Sequence, residues 1–258
     1  MININKTSIV HKDAIIGDNV TIGPFCNVEK NVTINSGNII HSHVSILEGT
    51  TIGENNVIHQ GSVIGGKPQD LKFNDEETKL VIGDNNVIRE YCTLNRGTEH
   101  SEKTVIGSNS LLMAYVHVAH DCVVSNKVIL ANGVQLGGHS EIGYHATVGG
   151  MTPVHQFCKI GMHAFIGGGR VVLQDVPPYI LATGEPVQYS GINSVGLRRR
   201  NFDQKTRSLI KKVYSLLYRS KFNTMQALDY IKEQFSKNNS EEINNIIKFI
   251  ESSERGII

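Results

Sequence analysis

The residues best suited to chemistry are three histidines that recur at intervals near eighteen residues, His120, His139 and His155, together with His117 just upstream of the first. A carboxylate, Asp121, directly follows His120, and a Gly-Gly pair precedes His139. If one turn of the chain takes eighteen residues, then His120 lies beside Gly138 and Asp121 lies beside His139. A histidine base, a carboxylate that orients it and exposed backbone N–H donors are the groups that acyl transfer by direct attack requires.

Other interpretations of this cluster stay open. Three histidines on stacked turns could bind zinc, as in a γ-type carbonic anhydrase. A non-enzymatic β-helix trimer that only binds a partner would have no reason to stack these groups. Cys122 follows Asp121, but no Ser or Cys nucleophile belongs to the cluster on sequence grounds. The remaining histidines are interpreted as structural: His11, His41, His43, His59, His100, His145 and His163.

The turn of eighteen residues comes from the hydrophobic pattern. Every sixth residue is aliphatic from Ile4 to Ile64 and again from Ile106 to Val172. A six-residue period fits neither an amphipathic helix nor an alternating strand, and it is the signature of a hexapeptide β-helix. Three six-residue sides make a coil of about 18 residues, and coils stack about 4.8 Å apart. Residues separated by one coil are therefore neighbours.

Two polar segments interrupt the repeat, over residues 67–79 and 95–103. Neither has a period, and the aliphatic repeat resumes at Ile82 and at Ile106. Insertions in a β-helix leave the coil at corners and tend to collect on a binding face. The two segments are therefore predicted to be loops near the functional site.

The last part of the chain has a different pattern. The hexapeptide repeat ends near Val172, and residues 180–193 show no regular pattern. We predict a hexapeptide-repeat β-helix domain over residues 1–192 and a small helical domain over residues 193–258, so that the chain is mainly β. The helical stripes are Leu209, Ile210, Val213, Leu216 and Leu217; Met225, Leu228, Ile231 and Phe235; and Ile243, Ile246, Ile247 and Ile250.

Composition excludes some functions. The net charge is +1 at pH 7, so no overall electrostatic argument favours nucleic acid. The cysteines show no CxxC spacing, we expect no signal peptide, and no apolar run is long enough for an integral membrane segment. We therefore expect reduced thiols and a cytoplasmic protein. These thiols are Cys26, Cys92, Cys122 and Cys158.

Several segments together resemble one enzyme family. They are Gln69–Lys72, Met113–Cys122, Gly149–Thr152, Val154–Cys158, Gln174–Tyr179 and Arg198–Arg200. On these motifs the chain resembles the UDP-N-acetylglucosamine O-acyltransferases that begin lipid A synthesis in Gram-negative bacteria. The resemblance covers nearly the whole chain, and the motifs are more specific than the hexapeptide repeat alone.

The resemblance implies a left-handed parallel β-helix that assembles as a homotrimer, with active sites in clefts between subunits. It implies transfer of an (R)-3-hydroxyacyl chain from acyl carrier protein to the glucosamine 3-hydroxyl of UDP-N-acetylglucosamine, without a cofactor or metal. Whether the acceptor carries a 3-hydroxyl or a 3-amino group stays open.

Residue roles follow from the same resemblance. His120 would be the general base, Asp121 would orient it, and the Gly138 N–H would hold the oxyanion. The guanidinium groups suit phosphates, which Arg binds in a bidentate manner. The substrate-binding residues would be Gln69, Asp70, Lys72, His117, His139, Gly150, His155, Gln156, Asn193, Arg199 and Arg200.

Two positions bear on specificity. Val195 stands where the family usually has Glu, which puts a ribose contact in doubt. Gly168 matches the position that sets acyl chain length in the family. Because glycine has no side chain to block the groove, a chain of around fourteen carbons is expected. The direction of the nearby Arg170 side chain also affects the length that the groove accepts.

The first helix of the predicted helical domain is basic, and acyl carrier protein is strongly acidic. We expect the carrier to dock on this surface, which carries Arg198, Arg199, Arg200, Lys205, Arg207, Lys211, Lys212, Arg219 and Lys221. Two related enzymes fit less well. The N-acyltransferase of the same pathway usually carries an extra N-terminal domain, whereas this repeat starts at Ile4. Acetyl-CoA-dependent hexapeptide enzymes lack the motif of the 67–79 loop.

Overall fold

The aliphatic repeat folds into a left-handed parallel β-helix with a short strand on each side of every coil. A computed structural model describes residues 1–235 and 240–258. Most strands contain only two residues, the second of which is the aliphatic residue of the repeat and points inward. The strands are β1 (Asn3–Ile4), β2 (Ile9–Val10), β3 (Ile15–Ile16), β4 (Thr21–Ile22), β5 (Asn27–Val28), β6 (Thr33–Ile34), β7 (Ile39–Ile40), β8 (Ser45–Ile46), β9 (Thr50–Ile52), β10 (Val57–Ile58), β11 (Val63–Gly66), β12 (Lys79–Ile82), β13 (Val87–Ile88), β14 (Thr93–Asn95), β15 (Lys103–Ile106), β16 (Leu111–Leu112), β17 (His117–Val118), β18 (Val123–Val124), β19 (Ile129–Leu130), β20 (Gln135–Leu136), β21 (Glu141–Ile142), β22 (Thr147–Val148), β23 (Pro153–Val154), β24 (Lys159–Ile160), β25 (Phe165–Ile166), β26 (Ile180–Thr183) and β27 (Gln188–Ile192).

Three sheets form the faces of a triangular prism. Sheet A runs β1-β4-β7-β10-β13-β16-β19-β22-β25-β26-β27, sheet B runs β2-β5-β8-β11-β14-β17-β20-β23, and sheet C runs β3-β6-β9-β12-β15-β18-β21-β24. Every third strand pairs in parallel, as when Val118 lies opposite Leu136 and Leu136 opposite Val154. The predicted coil of eighteen residues is therefore confirmed.

The interior of the prism is aliphatic from the second coil onward. Ile34, Ile64 and Leu136 are each fully buried, as are the equivalent residues of the other coils. Ile4 is 40% exposed, because the first coil has a neighbouring coil on only one side. The burial of one aliphatic residue per side is the main term that favours this fold.

From the second coil onward, most corners of the prism turn through a residue in the left-handed backbone region. Asn, Asp and His tolerate positive φ better than most side chains, and they fill many of these positions. Asp121 has φ 60°, and His139 stands at the same corner one coil later with φ 60°. The turn chemistry thus brings polar side chains to the corners, where they project outward.

The two loops leave from the same corner as His120. Residues 67–78 connect β11 to β12, and residues 96–102 connect β14 to β15. Both connections run from sheet B to sheet C, as does the turn between β17 and β18 that carries Asp121. We call this edge the B–C corner. The prediction that these segments are loops gathered near the candidate site is confirmed.

Residues 180–193 depart from the sequence prediction. They form β26 and β27, an antiparallel pair in which β26 continues sheet A beside β25. The prediction of an irregular segment was wrong because two strands in an antiparallel hairpin need no hexapeptide period. The hairpin extends the strand hydrogen bonding of sheet A past the last full coil.

Four helices follow in the described part of the chain: α1 (Ser194–Arg199), α2 (Gln204–Arg219), α3 (Thr224–Phe235) and α4 (Glu241–Glu251). Asp203 and Ser240 cap α2 and α4, because each side chain accepts a hydrogen bond from a backbone N–H three residues later. The apolar stripes predicted for α2 and α4 face the core. On α3, Ala227 is buried in place of Met225, which is 64% exposed. None of the described helices has the length and apolar character needed to cross a membrane.

A core substitution tests this architecture. Ile34→Ala removes a fully buried side chain of β6, whereas Thr33→Ala on the same strand faces outward. We expect Ile34→Ala to lower the free energy of unfolding by about 3 kcal/mol and Thr33→Ala to lower it by less than about 1 kcal/mol. Denaturant unfolding at one fixed protein concentration measures both values. Equal losses would contradict the inward position of Ile34.

Candidate active site

The candidate active site lies at the B–C corner, in the turn between β17 and β18. His120 Nδ1 lies 2.7 Å from Asp121 Oδ2, and the Asp121 side chain is completely buried, whereas His120 remains 13% exposed. Asp121 also donates its backbone N–H to Thr104 Oγ1 at 2.8 Å. A buried carboxylate thus holds the Nδ1 edge of a partly exposed imidazole.

Residues of the 96–102 loop surround the Asp121 carboxylate. The Thr98 N–H donates to Oδ1 at 2.9 Å, the Thr98 hydroxyl donates to Oδ2 at 2.7 Å, and the Ser101 hydroxyl also donates to Oδ1. Burial alone would raise the pKa of Asp121, but hydrogen bonds from Ser101, His120 and Thr98 outweigh it and lower the pKa to about 2. Asp121 is therefore ionised at neutral pH and accepts the Nδ1 proton of His120, which leaves Nε2 as the basic nitrogen.

Gly138 lies against the His120 ring from the next coil. A methyl group built on Gly138 would sit 2.7 Å from Cε1 and 2.8 Å from Nε2 of His120, so only glycine leaves room for this ring. The Gly138 N–H donates to no group in the described ranges 1–235 and 240–258. The predicted proximity of His120 and Gly138 is confirmed.

His139 is the second imidazole at the corner. Its Nε2 lies 3.6 Å from Asp121 Oδ2, and its ring stacks on Phe157 at 4.4 Å between centroids. The ring also meets His120 and His100 edge to face, at 5.2 and 4.9 Å. Burial lowers the pKa of His139, although the charge of Asp121 opposes this effect. A neutral His139 can accept or donate a hydrogen bond to a polar ligand.

A cleft of about 300 Å³ opens beside His139 between the two loops. Its walls carry carboxylates, a lysine, imidazoles and aromatic rings, which is a suitable lining for a polar ligand with hydroxyl groups. Phe73 is held in the wall by a cation–π contact with Arg96 at 5.4 Å. The lining residues are Asp70, Lys72, Phe73, Glu76, Thr98, Glu99, His100, His139 and Phe157.

The other residues predicted for this region belong to the same loop or to neighbouring coils, but none of them lines the cleft. Gln69 is exposed on the first loop, in the segment that carries Asp70 and Lys72. The Nδ1 atom of His117 forms a hydrogen bond with Thr93 Oγ1 at 2.7 Å. Burial lowers the pKa of His117. His155 and Gln156 are exposed on the following coil, where His155 Nδ1 contacts the Gln156 carbonyl at 3.0 Å.

Asn193, Arg199 and Arg200 lie at a second pocket on another part of the prism. This pocket of about 710 Å³ is built on the outer face of sheet A, with Ile129 and Phe165 in its wall. Sheet A is the face opposite the B–C corner. Within one chain, the structure therefore does not bring these residues together with His120.

The Asn193 side chain is already engaged within its own chain. It caps α1 by accepting from the Gly196 N–H at 3.1 Å, and its Nδ2 donates to the His163 carbonyl at 2.9 Å. Arg199 is exposed and Arg200 is half-buried. Val195 also lines this pocket and contributes an apolar side chain to its wall.

Gly150 and Gly168 stack on adjacent coils at the corner between sheets A and B. A Cβ on Gly168 would lie 3.1 Å from the Gly150 carbonyl oxygen, and Gly168 itself is exposed. Gly169, the next residue, faces open space. Arg170 Nη1 lies 3.7 Å from Glu185 Oε2, so its side chain reaches toward the β26–β27 hairpin.

Sequence reasoning missed several residues of these sites. His100 was interpreted as structural, but it contacts His139 and lines the cleft. His145 and His163 were interpreted in the same way, yet His145 lines the second pocket and His163 contacts Arg200. Thr98 and Ser101 were not predicted. The corner from which the 96–102 loop leaves, one coil before Asp121, was the signal that could have identified them.

The same cluster has the composition of a metal site. Ligand atoms of His120, Asp121 and His139 all lie within 4.8 Å of one another. However, both Asp121 oxygens already accept hydrogen bonds from Thr98, Ser101 and His120. This environment favours a carboxylate that orients an imidazole over one that binds a cation directly.

Comparisons with known proteins agree with this architecture. A family profile for domain 2 of UDP-N-acetylglucosamine O-acyltransferase matches residues 175–258, and a bacterial transferase hexapeptide profile matches residues 13–46 and 103–138. The acyl-[acyl-carrier-protein]–UDP-N-acetylglucosamine O-acyltransferase of Aliarcobacter butzleri is 46% identical over 100% of this chain and 98% of its own length. The corresponding protein of Campylobacter concisus is 37% identical over 100% and 97%.

Solved structures of UDP-N-acetylglucosamine acyltransferases resemble this chain over its length. The UDP-N-acetylglucosamine acyltransferase of Bacteroides fragilis superposes with a TM-score of 0.96 at 44% identity, covering 98% of this chain and 99% of the other. The enzyme of Moraxella catarrhalis superposes with a TM-score of 0.95 at 42% identity, covering 99% of both chains. The fold and these likenesses define a hexapeptide-repeat acyltransferase. More specifically, the chain belongs to the acyl-[acyl-carrier-protein]–UDP-N-acetylglucosamine O-acyltransferase family.

The hydrogen bonds that the Thr98 and Ser101 hydroxyls donate to Asp121 can be tested through the pH dependence of stability. The double variant Thr98→Val/Ser101→Ala should raise the pKa of Asp121 toward its ordinary value of 3.8. A carboxyl group with a lowered folded-state pKa adds stability that is present above the unfolded-state pKa and lost as the pH falls through the folded-state pKa. We therefore expect the wild-type protein to lose stability between about pH 4 and pH 2, and the variant to lose less over that range.

At pH 7 the variant should be less stable, because two hydrogen bonds to a buried anion are gone. Urea unfolding at a series of pH values measures both effects. Ser208→Ala, at an exposed position on α2, is the control. Parallel pH profiles for the wild-type protein and the double variant would contradict this account of Asp121.

Proposed function

We propose that this protein transfers an (R)-3-hydroxyacyl chain from acyl carrier protein to the glucosamine 3-hydroxyl of UDP-N-acetylglucosamine, the first step of lipid A synthesis. The reaction takes place in the cytoplasm on a homotrimer, and direct attack on the thioester needs no cofactor. The observation that carries the proposal is the His120 ring, held between the Asp121 carboxylate and the backbone of Gly138. The named activity of the relatives from Aliarcobacter butzleri and Campylobacter concisus supports the same reaction.

His120 acts as the general base. Because the Nδ1–H of His120 donates a hydrogen bond to Asp121, Nε2 carries the lone pair and removes the proton of the 3-hydroxyl. The oxygen attacks the thioester carbonyl as this proton leaves, and the imidazolium that forms is stabilised by the ionised Asp121. Collapse of the tetrahedral intermediate breaks the C–S bond, and His120 returns the proton to the departing thiolate.

The Gly138 N–H stabilises the negative charge on the carbonyl oxygen. This donor is near the base, because a Cβ at Gly138 would meet Nε2 of His120 at 2.8 Å. A backbone donor is fixed by the coil and needs no rearrangement when the charge develops. Base and donor together supply the two groups that acyl transfer requires.

The cleft beside His139 suits the sugar. Asp70 and Lys72 lie on its rim, and His139 is held by Phe157 in its wall. These groups donate and accept hydrogen bonds to hydroxyl and amide groups of N-acetylglucosamine. We assign the same purpose to Gln69, His117, His155 and Gln156, which lie outside the cleft lining but on the same loop or on neighbouring coils.

A complete site needs two subunits. Asn193, Arg199 and Arg200 stand at the sheet A pocket, while His120 stands at the opposite corner of the same prism. In one chain the body of the prism lies between the two sets of residues, whereas neighbouring prisms in a trimer can bring a B–C corner against a sheet A face. Arg199 and Arg200 then bind the diphosphate from the neighbouring subunit. Since the Asn193 side chain caps α1, it supports this subsite by holding the helix that carries the two arginines.

The acyl chain follows the glycine column. Gly150 and Gly168 leave the corner between sheets A and B without side chains. Arg170 pairs with Glu185, so it does not close this groove. An open groove at these glycines supports a chain of around fourteen carbons, the length that the family resemblance implies.

The direct test is the identity of the product. Purified protein is incubated with UDP-N-acetylglucosamine and acyl carrier protein loaded with 3-hydroxyacyl chains of ten to sixteen carbons, and the products are measured by mass spectrometry. We expect a 3-O-acylated sugar nucleotide, with the fourteen-carbon chain preferred. His120→Ala should reduce kcat by at least about 100-fold, because general-base catalysis contributes 10²–10⁴-fold.

Product formed at the wild-type rate by His120→Ala would contradict the general-base role. A 3-amino sugar nucleotide, supplied in parallel, separates O-acylation from N-acylation. An inactive wild-type protein with every carrier and both acceptors would overturn the proposed function itself.

Subunit complementation tests the shared site. His120→Ala and Arg200→Ala chains carrying different tags are co-expressed, and trimers that contain both tags are purified. If His120 and Arg200 act across an interface, each mixed trimer keeps about a third of its sites intact, so activity returns to about a third of the wild-type value. If both residues served one chain's site, the mixed trimers would be as inactive as either parent.

The basic surface of α2 is the docking site for acyl carrier protein in this proposal. Lys205 and Lys211 are exposed on α2, while the Lys212 ammonium also lies 5.7 Å from the centre of the Phe235 ring. An acidic carrier is attracted to such a surface, and the attraction weakens as salt rises.

Charge reversal tests this surface. Lys211→Glu/Lys212→Glu should raise KM for the acyl carrier substrate by about tenfold at low salt and leave KM for the sugar nucleotide unchanged. Lys6→Glu, at an exposed position on the first coil, is the control. An unchanged KM for the carrier at low salt would remove the docking proposal.

A further inference from the structure

The Arg200 guanidinium is unusual because it is half-buried without an acidic partner. Among residues 1–235 and 240–258, no carboxylate oxygen lies within 4.0 Å of its nitrogens. Burial lowers the pKa of Arg200, yet a guanidinium remains protonated at neutral pH. The side chain lines the sheet A pocket of about 710 Å³, so an uncompensated cation faces an open space. Such a cation needs another contact to fix its position.

That contact is His163, a residue to which the mechanism above gives no role. Arg200 Nη1 lies 3.0 Å from His163 Nδ1. Arginine can only donate hydrogen bonds, so Nδ1 must be the unprotonated nitrogen and the His163 proton must be on Nε2. Burial, together with the charges of Arg200 and His145, lowers the pKa of His163 to about 3, in agreement with a neutral ring.

The His163 ring is itself fixed on several sides. It stacks on Tyr179 at 5.6 Å and meets Phe202 edge to face at 5.0 Å. Tyr144 and His145 contact it at 5.4 and 5.5 Å between centroids. Because the ring is enclosed in this way, its Nδ1 is a rigid acceptor. The Arg200 guanidinium that donates to it is therefore held in a fixed position.

The backbone of His163 also helps to position the segment that carries Arg200. Its carbonyl oxygen accepts the Asn193 Nδ2 hydrogen bond at 2.9 Å, and Asn193 caps the helix that ends beside Arg200. One corner residue of the β-helix therefore holds both the side chain of Arg200 and the start of α1.

We propose that His163 is a positioning residue for the anion subsite: its unprotonated Nδ1 holds the Arg200 guanidinium toward the sheet A pocket, where that cation meets the diphosphate of the nucleotide. This inference rests on the proposed function, because it assumes that the pocket receives a nucleoside diphosphate. Without the acceptor, the Arg200 side chain would sample several rotamers and present its charge less often in the binding orientation.

Two substitutions separate the hydrogen bond from the packing. His163→Phe keeps an aromatic ring between Tyr179 and Phe202 but has no acceptor. His163→Asn returns an acceptor near the position of Nδ1, and asparagine tolerates the φ of 57° at this corner. Phenylalanine is also compatible with that backbone, since Phe157 adopts φ 63°.

Isothermal titration calorimetry with UDP and with uridine measures the effect, and thermal unfolding monitors the fold. We expect His163→Phe to weaken UDP binding by about tenfold, or about 1.4 kcal/mol, with uridine binding unchanged. His163→Asn should recover most of the UDP affinity. In an Arg200→Gln background, His163→Phe should cause no further loss, because the group it positions is absent.

Several results would overturn the inference. Equal weakening of UDP and uridine binding by His163→Phe would indicate general damage to the pocket. Unchanged UDP affinity, or the same loss in the Arg200→Gln background, would show that His163 does not act through Arg200. Failure of the wild-type protein to bind UDP would refute the nucleotide pocket itself, which is a distinguishable outcome.

Discussion

Parallel pairing between coils is the constraint on which the rest of the structure depends. Because Val118 pairs with Leu136 and Leu136 with Val154, each corner residue has a fixed neighbour eighteen positions away. The aliphatic interior prevents a shift of this register, since a slip by one residue would turn the buried side chains outward. Chemistry at the B–C corner is therefore positioned by the hydrophobic core.

Sequence alone predicted the features that follow from a constant period. The proximity of His120 to Gly138 needed only the coil length, and the three apolar stripes gave α2, α3 and α4. Features that depend on inserted segments could not be derived in this way, because an insertion has no period. Thr98, Ser101 and His100 reach the site on such a segment. The β26–β27 hairpin was missed because its partner strands are antiparallel.

Asp121 and Arg200 differ in how far the surrounding protein satisfies their charges. Asp121 is completely buried and is surrounded by donors from Thr98 and Ser101, so its charge is satisfied before any ligand arrives. Among the described side chains, the Arg200 guanidinium donates a hydrogen bond to the neutral His163 and forms no ion pair with a carboxylate, so its charge remains available to an anion. The first arrangement suits a residue that orients a base, and the second suits a residue that binds phosphate.

The activity of Gly138→Ala tests whether the contact between adjacent coils positions the catalytic base. The added methyl group would overlap His120 at Cε1 and Nε2, so the ring must move away from its position between Asp121 and the backbone donor. We expect a fall in kcat of at least about 100-fold with unchanged UDP affinity, and a modest loss of thermal stability because the His120–Asp121 hydrogen bond is disturbed. Gly66→Ala, whose added Cβ meets no atom closer than 3.7 Å, should stay active. Full activity of Gly138→Ala would contradict the account, because the contact between adjacent coils would then be irrelevant to the reaction.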